Sequence, residues 1–150
     1  VLTAFLALDT FVELYDGGTI RLSEFVNRKP DKDILLSVIV RKSKRKFRYD
    51  SIRQTKTDFP VIACSVVTGM VHGKETWYFS VGARPMKAAL LEKQWEIPAD
   101  ASEKMIADYA RQAASEFTYG SNMRGSAEYR RHLAEVLIRR EMTSILAEGR

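Results

Sequence analysis

The spacing of hydrophobic and polar positions changes partway along the chain. From Thr10 the residues alternate as TFVEL, break at Asp16-Gly17-Gly18 and resume as TIRL, a pattern that predicts a hairpin. ILLSVIV, residues 34–40, is a short run of mainly β-branched apolar residues and predicts a buried strand. KSKRK interrupts it, and FRYDSIR alternates again. VIACSVVTGMVHG then leads across His72-Gly73-Lys74 into ETWYFSVG, which predicts a second hairpin turning at the glycine.

Beyond Arg84 the period lengthens. RPMKAALLEK is expected to form one or two helical turns, with Pro85 tolerated at their start. Asp100-Ala-Ser-Glu103 resembles a capping box opening a helix through MIADYARQAASEF, whose Met105, Ile106, Tyr109, Ala113 and Phe117 share one face. The last helix is expected to start at Ser126 and to turn Tyr129, Leu133, Val136, Leu137, Ile145 and Leu146 inward. Its arginines, Arg130, Arg131, Arg139 and Arg140, are expected to form a solvated or partner-facing side, with Glu135 and Arg139 paired at i,i+4. Strands first and helices afterwards predict an α+β fold, a mostly antiparallel sheet with about three helices packed on one face.

Length and charge narrow the function classes. A chain of 150 residues suits one domain with a short satellite and is long enough to bury a core. It opens at Val1 in mid-pattern, which points to a processed product or a fragment. The net charge of +5 comes from 24 basic and 19 acidic residues spread along the chain, RKSKRKFR being the one dense basic run. A basic nucleic-acid module centred on Lys42 to Arg48 is therefore a candidate, but no nucleic-acid partner is the favoured expectation. A single cysteine, Cys64, excludes an internal disulfide, and two distant histidines offer no ligand pair at motif spacing, so no metal site is expected. A reducing, cytoplasmic setting fits, and no apolar run has the length to span a membrane.

Candidate chemistry is sparse. Cys64 lies within an apolar strand, where a buried, inert thiol is the simpler reading. His72 sits beside a turn glycine and His132 on a helix, neither tied to a carboxylate. Asp31 and Asp33 suit a turn, Asp58 a local cap or loop contact, and Trp77, Tyr78 and Phe79 the core rather than base stacking. No catalytic residue is assigned.

The segment RGSAEYRRHLAEVLIRR, residues 124–140, resembles the closing signature of the flavoprotein subunit of the molybdenum hydroxylases, the family of xanthine dehydrogenase and carbon monoxide dehydrogenase. VGARPMKAA is similar to the family's G-x-x-P-x-R-A segment, FRYDSIRQTKTDFPVIACSVV resembles its strand, basic loop and buried Asp, and LTAFLALDTFVEL and DILLSVIV resemble the tail of its flavin-binding domain. The resemblance implies that residues 1–42 are tail strands of an FAD-binding domain and residues 43–150 a C-terminal α+β domain. It also implies FAD as the cofactor of the intact subunit. The partners implied are a molybdenum-containing large subunit and a 2Fe-2S small subunit, whose iron-sulfur clusters deliver electrons to FAD. Leu35 matches a flavin-contacting position, and Asp50 stands where some members carry a lysine that favours negative charge on the reduced ring. The family's glycine-rich, pyrophosphate-holding segments have no counterpart here, and the stretch between Phe25 and Asp33 is shorter than usual. The chain alone is expected to be inactive, and the alternative function is a flavin-free interaction module using the arginine-rich last helix.

Overall fold

The longest apolar stretch forms the spine of the molecule. A computed structural model describes residues 1–148. In it Ile62–Val71 and Lys74–Gly82 pair antiparallel as one long hairpin, with the wide apolar run buried on both faces. His72 and Gly73 make its two-residue turn with φ of 50° and 79°, the doubly left-handed geometry whose twist matches the strands it joins.

In chain order the elements are α1 (Leu2–Ala7), β1 (Phe11–Leu14), β2 (Gly18–Arg21), α2 (Leu22–Phe25), β3 (Leu35–Ile39), β4 (Lys46–Ile52), β5 (Ile62–Val71), β6 (Lys74–Gly82), β7 (Ala89–Lys93), α3 (Glu103–Ser115) and α4 (Ala127–Ala147). They build two antiparallel sheets, one ordered β2-β1-β3 and the other β4-β5-β6-β7. The α+β class is as expected. The helices divide between two faces of the larger sheet. Ile62, Cys64, Val66, Trp77, Phe79 and Val81 point to α3 and α4, whereas Val67 and Tyr78 point to Ala7 of α1. Alternation thus separates Tyr78 from its two aromatic neighbours, and all three are buried.

Expectations for three elements before the last helix need correction, and in that helix Tyr129, expected inward, is 48% exposed. RPMKAALLEK contains a strand, β7, because Ala89 to Lys93 completes the open edge of β6 by five register pairs, and this ladder outweighs the weak helical period. The 34–40 run does form a strand, Leu35–Ile39, but an exposed one: β3 is an edge of the small sheet, and Ile34, Leu36 and Val38 are 61%, 53% and 44% exposed. The start of α3 is capped by Ser102, whose side chain accepts from the Met105 amide, two residues later than the expected box. Met105 lies outside, whereas Ile106, Ala110, Ala113 and Ala114 are buried.

The last helix begins at Ser126 as expected, its hydroxyl accepting from the Tyr129 amide at 3.1 Å. Its inner face carries Ala134, Leu137, Ile138, Met142 and Ile145, each fully buried apolar side chain of Val, Leu or Ile size contributing about 1.5–3 kcal/mol. Arg131, Arg139 and Arg140 are exposed, and Glu135 pairs at 3.4 Å with Arg111 of α3. Arg130 departs from the expectation altogether. Its side chain is fully enclosed and donates to Val61 O, Gly120 O, Gly125 O and Asn122 Oδ1 at 2.5–2.9 Å. A period count cannot find it, because a buried guanidinium is tolerated only where carbonyls converge from elements distant in sequence.

Substituting Arg130 tests this clamp. Arg130→Lys and Arg130→Met should each lower unfolding stability by about 3–5 kcal/mol, since either leaves buried carbonyls without donors. A urea melt reads the loss, and an unchanged midpoint would show that the carbonyls find other partners.

Candidate functional site

Leu35 opens onto a cleft of about 420 Å³ lined by the end of α2, the segment after it, Leu2 and Lys87. Phe25, Val26 and Pro30 supply its apolar wall, and Arg28, Lys29 and Lys87, with Asp31 and Asp33, its charged lining. A second hollow of about 340 Å³ adjoins it, and Val26 and Lys87 line both. The Lys87 ammonium donates to Val26 O at 2.9 Å, so it stands on the partition between the two hollows.

The local chain conformation explains this placement. Asp33 accepts from the amides of Asp16, Gly17 and Ile34 at 2.8–2.9 Å, which ties the β1–β2 turn to the start of β3. Those amide bonds, the Asp16 one first, hold the Asp33 carboxyl below the usual range. Here Asp33 does the turn work that its sequence context suggested. On the opposite wall, Arg84 follows Ala83, which has φ of 57°, and donates to Lys87 O at 2.9 Å and to Thr118 O at 2.6 Å. Gly120 donates its amide to Arg84 O at 3.0 Å, and Gly120 O is itself held by Arg130. The backbone that presents Lys87 is therefore anchored to the core of α4.

Asp50 lies elsewhere. It is an exposed residue of β4 in the larger sheet, whereas Leu35 is on β3 of the smaller one, and Asp50 does not line the Leu35 cleft. Cys64 stands opposite it in the β4–β5 register. Alternation along β4 aligns Asp50 with Arg48 and Ile52, whose contacts run to Ser144 of α4 and to the helix-side core. Sequence reasoning missed the acid on that side. Glu141 of α4 is 4% exposed, and its carboxyl oxygens make no hydrogen bond of good geometry. Burial first, then the Asp50 charge, pushes its pKa up to about 8, against a smaller opposing pull from the nearby Asp50 backbone amide. Burial pushes the Cys64 thiol well above its ordinary value too, which keeps it protonated and inert.

Several remaining candidates prove structural. Lys46 and Arg48, from the basic run, donate to Ile145 O and Ser144 Oγ near the C-terminus of α4, where cations and donors suit the free carbonyls. Arg48 also pairs with Glu148. Asp58 bonds the Phe59 amide and pairs at 3.6 Å with Arg124. Among the described residues no cluster of three or more His, Cys, Asp or Glu could hold a metal ion, and no helix is long and apolar enough to cross a membrane.

Comparison with known proteins gives the family context. Residues 47–145 match the family described as CO dehydrogenase flavoprotein C-terminal domain. Among solved structures, quinoline 2-oxidoreductase from Pseudomonas putida 86 superposes with a TM-score of 0.76 at 15% identity, over 98% of this chain and 55% of that one. Reconstituted CO dehydrogenase from Oligotropha carboxidovorans gives 0.72 at 18% identity, over 97% of this chain and 56% of that one. Carbon monoxide dehydrogenase from Hydrogenophaga pseudoflava, lacking the Mo-pyranopterin moiety of its cofactor, gives 0.74 at 14% identity over 97% and 55%. The chain thus spans about half the length of the structures it matches. The comparison with curated proteins found no match.

Glu141 gives this region a measurable pH signature. Its folded-state pKa of about 8 lies above the ordinary 4.5, so between these values the folded protein holds a proton that the unfolded chain has lost. Stability should be greatest below about 4.5 on this account and fall, by a few kcal/mol, until about pH 8. Glu141→Gln should flatten that slope in melts taken across the window. Parallel curves for the two proteins would contradict it.

Proposed function

The chain belongs to the CO dehydrogenase flavoprotein C-terminal domain family, and from that premise we propose that it is the C-terminal part of the FAD-containing subunit of a molybdenum hydroxylase-like oxidoreductase. The family match over residues 47–145 carries this proposal. In it the chain forms one wall of the flavin site, with Leu35 against the ring, and its outer faces dock a molybdenum-containing large subunit and a 2Fe-2S small subunit. When bound, FAD takes up electrons from the iron-sulfur clusters and passes them to an acceptor.

The residues present fit the ring of FAD better than its pyrophosphate. Phe25, Val26, Pro30 and Leu35 offer apolar contact in the cleft, which Arg28, Lys29 and Lys87 border together with Asp31 and Asp33. The Asp16-Gly17-Gly18 turn cannot cradle a phosphate, because the amides of Asp16 and Gly17 already hold the Asp33 carboxylate, and a Cβ on Gly17 would meet Asp33 Oδ2 at 2.9 Å. The main anchor of the cofactor would therefore lie outside this chain, and the chain alone would be inactive.

The division into residues 1–42, as the tail of an FAD-binding domain, and residues 43–150 is supported by the two separate sheets. One apolar cluster gathers Leu6, Val12, Leu14 and Leu22, another lies between the larger sheet and α3 and α4, and a third joins the two parts through Ala7, Val67 and Tyr78. The exposed apolar side chains of β3 suit a surface that the rest of such a domain covers. Asp50 is kept as a residue near the cofactor only through the assembly, since its strand does not reach the Leu35 cleft.

A flavin-free interaction module is the alternative. One observation favours it: Arg139 and Arg140, with Thr143 and Ser144, line a depression of about 480 Å³ on the outside of the α3–α4 pair. Isolation of the protein from its native source separates the two. The flavoprotein reading requires FAD absorbance, together with molybdenum and iron by elemental analysis, in the fraction that contains this chain. Recovery of a colourless, metal-free species would overturn it in favour of the module.

A further inference from the structure

Helix α4 runs back along strand β4, and the contacts between them climb in step. Lys46 donates to Ile145 O at 3.2 Å and Arg48 to Ser144 Oγ at 2.8 Å. The next residue on that side of β4 is Asp50, and it comes level with Glu141, one turn earlier on the helix. The first two rungs match a donor to an acceptor, but the third sets two carboxyl groups together. Asp50 is exposed, whereas Glu141 is 4% exposed and makes no hydrogen bond of good geometry. Other neighbours give it no cation. Cys64 faces it from β5 as a buried thiol, and the Tyr119 hydroxyl near Cys64 is spent on Ala114 O. The Arg48 guanidinium is taken by Ser144, Phe47 O and Glu148. Arg140 lies on the exposed side of α4, where Glu103 of α3 is a further acid. A carboxylate at this position is therefore buried without a partner, a costly state that a neutral carboxyl avoids.

We propose that Glu141 is a proton-operated latch: protonated, it lets the C-terminal half of α4 lie on β4, and its ionisation releases that half of the helix and uncovers Cys64. The release is local because the two ends of α4 are held differently. Arg130 fixes the N-terminal end through four hydrogen bonds, whereas the C-terminal end rests on an edge strand through Lys46 and Arg48. The released turns carry Arg139, Arg140, Thr143 and Ser144, so the latch also governs the outer depression that these residues line. Its sign follows from burial and the Asp50 charge, which raise the closed-state pKa from 4.5 to about 8. The latch is tightest below the lower value and weakens until the higher one is passed.

Cys64 is the single cysteine of the chain and lies under α4, so its alkylation by iodoacetamide reports the opening. The thiol itself reacts faster as pH rises, and the Glu141→Gln protein at the same pH removes that contribution. The ratio of wild-type to Glu141→Gln labelling rates should rise on the order of tenfold or more between about pH 6 and about pH 9. Hydrogen–deuterium exchange over the same range, again against Glu141→Gln, should show protection lost in 46–52 and 138–147 and kept in β6 and α3. A labelling ratio that does not change with pH would overturn the latch. So would a loss of protection in β6 and α3 equal to that in 138–147, since the opening would then be global unfolding.

Discussion

Arg130 is the contact from which the rest of the molecule is tied together. Its guanidinium sits at the foot of α4 and draws the carbonyls of Val61, Gly120 and Gly125 toward one point. Val61 leads into the central strand, Gly120 hydrogen-bonds the segment before β7, and Gly125 precedes the cap of α4. Through Gly120, Arg84 and Lys87 the same connection reaches Val26 on the far side of the cleft. A lysine offers donors in too compact a group to span such a set of acceptors. The arginine-rich signature near the end of the chain is thus partly internal architecture, with Arg130 inside and Arg131, Arg139 and Arg140 on the surface.

This arrangement makes one side of the molecule rigid and leaves the other open. The larger sheet is covered on one face by α3 and α4 and on the other by α1, and its central strands are buried from Ile62 to Thr68 and from Thr76 to Gly82. The smaller sheet ends at β3, which exposes Leu35 and its apolar neighbours. Apolar strand edges of that kind are costly to leave in water and prone to unintended pairing. A domain that forms one wall of a shared cofactor site has a physical use for them. The rigid side holds the backbone that presents Lys87, and the open side, with Leu35, is available to whatever completes the site.

Much of the fold was legible from residue spacing. Both hairpins announced themselves through a glycine-containing turn between alternating runs, and Ser126 marked the start of α4. Burial was harder to read. ILLSVIV has the composition of a core strand, yet whether such a strand is covered depends on neighbours that composition does not specify. β7 was missed because its pattern, Ala-Leu-Leu-Glu-Lys, satisfies a helix equally well until β6 offers a ladder. The cleft was legible only in part. Leu35 came from family resemblance, while Lys87 emerges from a long-range hydrogen bond to Val26 that no local pattern encodes. Glu141 was hidden for a similar reason, since an acid directly after two exposed arginines looks like surface until α4 is set against β4.

The central claim is that the β3 side of this domain is completed by further protein in the working assembly. Hydrogen–deuterium exchange tests it most directly, comparing the isolated chain with the protein in its native complex. The account predicts that residues 34–40 and the 27–33 segment exchange quickly in isolation and become protected in the complex, while β5, β6 and α4 are protected equally in both. Fast exchange across 34–40 in both states would contradict it.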